Sequence, residues 1–246
     1  MSELAFDLKT DDGVCPCYAY TAPAERPAPA VIFYMDGIGI RPDLRAMAAR
    51  LASNGYFVLL PNMYYRGGKT PVFDPATMMS DPAQRDRMMQ LLRTVTKQAA
   101  MSDTRAFLEF LGNEPKVSGS QVGCVGYCMG GSIALAAAGT FPDRIAAAAS
   151  IHGANLATDA PDSPHRLVGK IRGSVYVAVA GIDPWLQPGE TERLREALDA
   201  AGTRHRIEDY PDVQHGFAAN GTPHYERAAA ERHWERILAL FRETLA

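Results

Sequence analysis

Cysteine is scarce: four residues among 246, at positions 15, 17, 124 and 128, too few for a disulfide framework. No sign of charge dominates. With 25 Lys and Arg against 28 Asp and Glu the formal net charge is −3, which excludes a nucleic-acid or anionic-membrane surface and an acidic solvating tail. Long apolar runs are also missing. Pro142, Asp143 and Arg144 break the alanine-rich region short of the ~18 residues of a membrane span. The opening MSELAFDLKTDDG lacks the basic start and apolar run of a secretory leader. There is no internal repeat, low-complexity linker or composition shift. What is present, 47% hydrophobic and 22% charged residues, supplies an ordinary buried core. These features together predict one domain over residues 1–246, reduced thiols and a cytoplasmic location.

Strand-like and helix-like segments alternate after residue 30. Val31 to Met35 is a short, wholly apolar run of β-formers, as expected of a strand covered on both faces. A helical pattern follows, with Pro42 in its first turn and Leu44, Met47, Ala48 and Leu51 on one face. Asn54-Gly55 ends it, and Tyr56 to Leu60 forms the next strand. Residues 62 to 80, rich in Gly, Pro and Tyr, predict a long loop of the kind that is often functional. Residues 81 to 112 read as helical with a break around Met101-Ser102-Asp103, where Ser102 would cap a second segment. Further strands are expected at Gln121 to Tyr127, Ile145 to Ile151, Ser174 to Ala180 and Arg204 to Tyr210. Helices are expected at Ser132 to Ala138, Thr191 to Ala201 and Tyr225 to Leu245. Ala5 to Lys9 and Val14 to Tyr20, joined by Asp11-Asp12-Gly13, predict an N-terminal hairpin. The class is α/β, a mostly parallel central sheet flanked by helices.

Gly126-Tyr127-Cys128-Met129-Gly130-Gly131 lies between a strand and an apolar helix. That is the setting of a nucleophile elbow, with cysteine in the reactive position. Small residues two before and two after the nucleophile let strand and helix approach, which Gly126 and Gly130 satisfy. The Met129 N–H would face a developing oxyanion, aided by the positive end of the helix. A phosphate loop is the competing use of such glycines, but the Lys it requires is absent.

A nucleophile of this type needs an acid and then a base further along the chain. Among the histidines after Cys128, His215 in Tyr-Pro-Asp-Val-Gln-His-Gly-Phe follows the last strand. His205 falls in a strand and His233 in a helix, while His152 ends a strand on the side where it could line a pocket. Asp183 follows the strand Val175 to Ala180 directly, at the carboxyl end where sites assemble in open α/β sheets. Asp159, Asp162 and Asp212 lack that position. Cys15 and Cys17 fall on one face of a strand with no histidine near, so no metal pattern arises, and Cys124 reads as core.

GYCMGG, GIDPWL and YPDVQHGF, together with VIFYMDGIGI and NGYFVLLPNMYYR, resemble the dienelactone hydrolase (carboxymethylenebutenolidase) family of the α/β-hydrolase superfamily. The resemblance spans most of the chain from residue 30. It implies a single α/β-hydrolase domain with Cys128 as nucleophile, His215 as base and Asp183 as the acid that orients it. It further implies an oxyanion hole made by the N–H groups of Met129 and Gly37. The family carries a Glu beside that second donor, in contact with the resting thiol; here the position holds Asp36, one methylene shorter. Dienelactone hydrolase proper has a carboxylate-binding Arg four residues after its histidine, where this chain has Ala219. A partner Arg in the helix after the long loop would match Arg85 or Arg87. The missing cation leaves another small ester or lactone at least as well supported as dienelactone.

The expected chemistry is hydrolysis of such a substrate through a thioester, with Tyr64, Tyr65, Phe73 and Trp185 as aromatic residues around an apolar pocket. No metal or other cofactor is expected. The partners are a small-molecule substrate without nucleic acid or membrane, and the assembly is a monomer or small homo-oligomer. A class I glutamine amidotransferase would carry an acid two residues after its histidine, where this chain has Phe217. A non-catalytic hydrolase-fold binding protein stays open as the alternative.

Overall fold

The computed structural model describes residues 1–23, 26–69, 71 and 73–245, so positions 70 and 72 of the expected long loop lie outside the described residues. Eight strands are found among the described residues: β1 (Ser2–Thr10), β2 (Gly13–Thr21), β3 (Ala28–Tyr34), β4 (Phe57–Pro61), β5 (Val117–Tyr127), β6 (Ile145–Ile151), β7 (Ser174–Ile182) and β8 (His205–Gln214). They form one sheet in the order β1-β2-β4-β3-β5-β6-β7-β8. The hairpin β1/β2 and its junction with β4 are antiparallel. From β4 through β8 every pairing is parallel. The helices are α1 (Pro42–Ser53), α2 (Pro82–Thr94), α3 (Lys97–Asn113), α4 (Met129–Thr140), α5 (Glu190–Ala200) and α6 (Arg227–Thr244).

β5 is the hinge of the layering. Side chains alternate across a strand, and a side chain built at Gly123 would strike Phe241 of α6, whereas one at Gly126 would strike Gly130 of α4. The two positions are three residues apart, so α6 and α4 cover opposite faces. α1 joins α6 on its face through Arg50, which pairs with Glu231 and lies 4.7 Å from the Trp234 ring centroid. β3, β4 and β6 are buried along nearly their whole length, as continuous apolar runs of a parallel sheet require.

The break in the long helical segment falls at Val95-Thr96 rather than at Met101-Ser102-Asp103. Thr96 caps α3 by accepting from the Ala99 N–H at 3.1 Å, as N-cap hydroxyls do. Ser102, mid-helix, instead donates to Asp11 in the hairpin turn at 2.7 Å. α3 also anchors the segment after β4, which opens with a 3-10 turn at Tyr65–Gly67. Asp103, fully buried, accepts from Tyr65 Oη and from both terminal nitrogens of Arg66, each at 2.7 Å. Removing one partner of such a pair strands a buried charge. Arg66→Met is therefore expected to destabilise the protein by about 3 kcal/mol or more. Urea unfolding checks this; a loss under about 1 kcal/mol, the level of a surface pair, would contradict it.

Candidate active site

Five sequence-derived candidates emerge at the same end of the sheet. Cys128, His152, Asp183 and His215 each stand one residue beyond the end of β5, β6, β7 and β8, and Asp36 stands two beyond β3. The register explains the convergence. Gly126 pairs with Tyr34 and Ser150, so β3, β5 and β6 end within a residue of one another, while β7 and β8 run on past the Ile151–Ala178 pair to Ile182 and Gln214.

Cys128 adopts φ 55 and ψ −117, a left-handed conformation uncommon for a residue with a side chain. Its own N–H is held by Ile151 O at 3.1 Å. The glycines around it have no room for a side chain. A Cβ at Gly126 would sit 1.9 Å from Gly130 O, and one at Gly130 would sit 2.4 Å from Tyr34 O. The elbow is thus wedged between its own strand and the end of β3. Met129 opens α4, where the first N–H groups lack intrahelical acceptors.

The acid and the histidine are brought together by an irregularity in the β7/β8 ladder. The expected strand ending at Tyr210 continues instead through Pro211 to Gln214. After a register shift, Ile182 pairs with Gln214, and the His215 N–H donates to Ile182 O at 3.0 Å. Gly181 permits the bulge, since a Cβ there would lie 2.2 Å from Pro211 O. The next residues on each strand, Asp183 and His215, are consequently neighbours, with Nδ1 to Oδ2 at 2.7 Å. Asp183 Oδ1 accepts the Trp185 N–H at 2.9 Å, so both carboxylate oxygens are engaged and the imidazole is held from one side.

Burial alone would keep His215 neutral. The charge of Cys128 and the hydrogen bond with Asp183 overcome it and push the imidazole up to about 10. With Nδ1 taken by Asp183, Nε2 is the ring nitrogen left free, buried and without a hydrogen-bond partner among the described residues. Cys128→Ala is expected to bring His215 down, read by an NMR titration of the imidazole; a histidine still titrating near 10 would mean that the thiol is not its partner. The sign for stability follows from linkage. This raised group contributes stability that is fully present below about pH 6.5, its ordinary value, and is lost as pH rises through about 10.

His152 packs edge-on against His215, ring centroids 4.8 Å apart. It is buried, and burial, then the His215 charge, pushes its imidazole well down. It therefore stands as a neutral wall behind His215. Tyr64 is fully buried and donates to Gly37 O at 2.7 Å. Burial first, then the charges of Cys128 and Asp36, raises its phenol. Tyr65 is spent on Asp103 and Thr10, Phe73 is buried, and Trp185 is 40% exposed.

The other candidates that the resemblance implied make contacts of their own. Asp36 makes no hydrogen bond to Cys128. Its carboxylate is gripped by Arg41, Nη1 to Oδ1 and Nη2 to Oδ2 both at 2.8 Å, and the pair is buried. Arg87 donates to Gly67 O and Lys69 O, while Arg85 lies 3.8 Å from Asp86 with its side chain about half exposed. Ala219 is fully buried. Cys15 and Cys17 lie in β2 with their sulfurs 3.8 Å apart, and Cys124 is buried against Ala134 O. No cluster suited to a metal ion occurs among the described residues, and no helix is long and apolar enough to cross a membrane.

Arg41 is the residue that sequence reasoning missed. A signal was available: it occupies the N-cap of α1, where a cation meets the positive end of the helix and needs a compensating acid.

A mostly parallel sheet, a strained cysteine at a strand–helix elbow and a following Asp–His pair define an α/β hydrolase. Residues 16–245 match the family model described as the dienelactone hydrolase family, and the chain belongs to that family. It is 26% identical over 218 residues to the carboxymethylenebutenolidase of Pseudomonas putida, covering 88% of this chain and 86% of that one. Two solved structures share the fold over essentially the full length. One is the dienelactone hydrolase-like promiscuous phosphotriesterase P91 from metagenomic libraries, with TM-score 0.75, 25% identity and 100% of both chains covered. The other is the dienelactone hydrolase from Anabaena variabilis, with TM-score 0.72, 18% identity and 100% of this chain and 99% of that one covered.

Proposed function

We propose that this hydrolase works as a single domain that cleaves a small ester or lactone through a thioester on Cys128, with His215 and Asp183 completing the triad. The observation that carries the reading is the Asp183–His215 pair set beside the elbow, with the imidazole raised by the thiol it faces. The Cys128 thiolate attacks the carbonyl carbon, and a C–S bond forms as the carbonyl electrons move to oxygen. The N–H groups of Met129 and Gly37 stabilise that oxyanion, each donor worth about 3–4 kcal/mol. Collapse breaks the C–O bond, and the leaving alkoxide takes the proton of the His215 imidazolium; in a lactone the alcohol stays tethered to the acyl group.

Acylation also resets the base. Once sulfur is in a thioester its negative charge is gone, and with it a main cause of the raised imidazole. His215 is then a neutral base that takes a proton from water while the hydroxide attacks the thioester. Breaking the C–S bond releases the acid and regenerates the thiolate–imidazolium pair. A thiolate leaves readily and an amine does not, so esters and lactones suit this site better than amides. Every group used is a side chain or backbone N–H of this chain. Ala219 offers no charge, and Arg87 is bonded to the Gly67 and Lys69 carbonyls. This favours substrates that need no cationic anchor at those positions.

The test is a panel of aryl esters, small lactones and matched anilides, with acid-quenched protein examined by peptide mass spectrometry. The expected result is turnover of esters and lactones over anilides and an acyl group on the Cys128 peptide. Substrate binding with no hydrolysis would instead favour a binding protein.

A further inference from the structure

The largely buried segment from Asp36 to Arg41 is tied down by a dense set of hydrogen bonds. Asp36 O accepts the Gly39 N–H at 3.2 Å, which fixes the plane of the Asp36–Gly37 peptide. No peptide bond here is cis, and in a trans peptide the N–H points opposite to the carbonyl. The Gly37 N–H therefore points out of the turn, and it donates to no protein acceptor among the described residues. The following peptide is fixed at both ends, by Tyr64 Oη on Gly37 O at 2.7 Å and by the Ile38 N–H on Asp36 Oδ1 at 3.0 Å. Arg41 closes the arrangement with its two bonds to Asp36 and a third to Gly39 O at 3.1 Å. The elbow abuts the start of this segment, because Gly130 packs against Tyr34 O and Met35 O.

Resting on the reaction proposed above, we infer that Arg41 and Asp36 are positioning residues. They form a buried clamp that holds the Gly37 N–H as an oxyanion donor, and Asp36 acts through this turn rather than on the thiol. A planar guanidinium is needed for the clamp, because only its fork can span both carboxylate oxygens while a nitrogen also reaches a carbonyl.

The experiment compares Asp36→Asn, Arg41→Lys and Arg41→Met with the native protein in three assays. Aryl-ester hydrolysis reads the oxyanion donor. Cys128 alkylation by iodoacetamide across pH reads the thiol alone, since that displacement builds no oxyanion. Amide hydrogen exchange of the peptide covering residues 36–41 reads how firmly the turn is held, independently of any turnover. The clamp predicts that kcat falls about 100-fold with KM little changed, that the alkylation profile does not move, and that exchange accelerates. It also predicts that Lys rescues little. An alkylation profile displaced in Asp36→Asn would assign Asp36 to the thiol and overturn the inference. Recovery of kcat by Lys would reduce Arg41 to a charge, and unchanged exchange would remove the clamp whatever the rates. If the native protein turns over no ester, the proposed function fails first, and the exchange data still decide the clamp.

Discussion

Cys128→Ala is expected to lower kcat/KM for an aryl ester by about 10⁴-fold or more, the scale on which removal of a covalent nucleophile acts. The other three cysteines cannot take over: Cys15, Cys17 and Cys124 are all buried to 1% exposure or less, and only Cys128 stands at the elbow. Residual rate would come from the oxyanion donors and binding alone. Cys128→Ser offers a sharper comparison, since it keeps a nucleophilic atom at the same strained position but replaces the thiol by an alcohol. Its rate should fall between the native protein and the alanine variant. Initial rates at matched folded fraction measure both, and retention of more than about a tenth of the native rate in Cys128→Ala, an effect far below that scale, would place the nucleophile elsewhere.

The second large effect is on the fold itself. Gly126→Ala forces a Cβ to 1.9 Å from Gly130 O, with Gly130 C at 2.1 Å and Gly131 N at 2.7 Å. All three are backbone atoms of the elbow, so no side chain can swing aside. Overpacking of this kind is expected to cost about 3 kcal/mol or more, or roughly 6–12 °C in Tm for a chain of this size. Gly169→Ala is the matched control, because nothing lies within 4 Å of its Cβ position, and it should stay within about 0.5 kcal/mol of the native protein. Differential scanning calorimetry reads both. Equal melting temperatures for the two variants would mean that the elbow does not depend on close backbone approach.

Much of this site was legible before the structure because its chemistry is local in sequence. The elbow is six consecutive residues, and the strand ends that carry His152, Asp183 and His215 are marked by short apolar runs. What could not be read was contact between distant segments. The extension of β8 through Pro211 depends on Gly181 of the neighbouring strand leaving space, a fact of pairing rather than of propensity. Thr96 caps α3, while Ser102 lies inside the helix and bonds Asp11 of the hairpin turn. The Asp36–Arg41 pair joins residues only five apart, and the helix start at Arg41 hinted at it, but its meaning depends on burial at the carboxyl end of β3. Of Arg85 and Arg87, either of which the resemblance would direct toward substrate, Arg87 bonds two loop carbonyls and Arg85 lies 3.8 Å from Asp86.

In the proposed reaction acyl transfer passes through Cys128, and His215 changes from acid to base when the thiol is acylated. Rapid acid quench during turnover of an aryl ester, with the Cys128 peptide quantified over time, tests it most directly. An acyl-Cys128 species is expected to form at least as fast as product appears and to decay no more slowly than kcat. The same species is expected to accumulate in His215→Gln, where the base for deacylation is gone. Turnover with no acyl group on Cys128 at any time, or with one that decays more slowly than kcat, would contradict the proposed reaction.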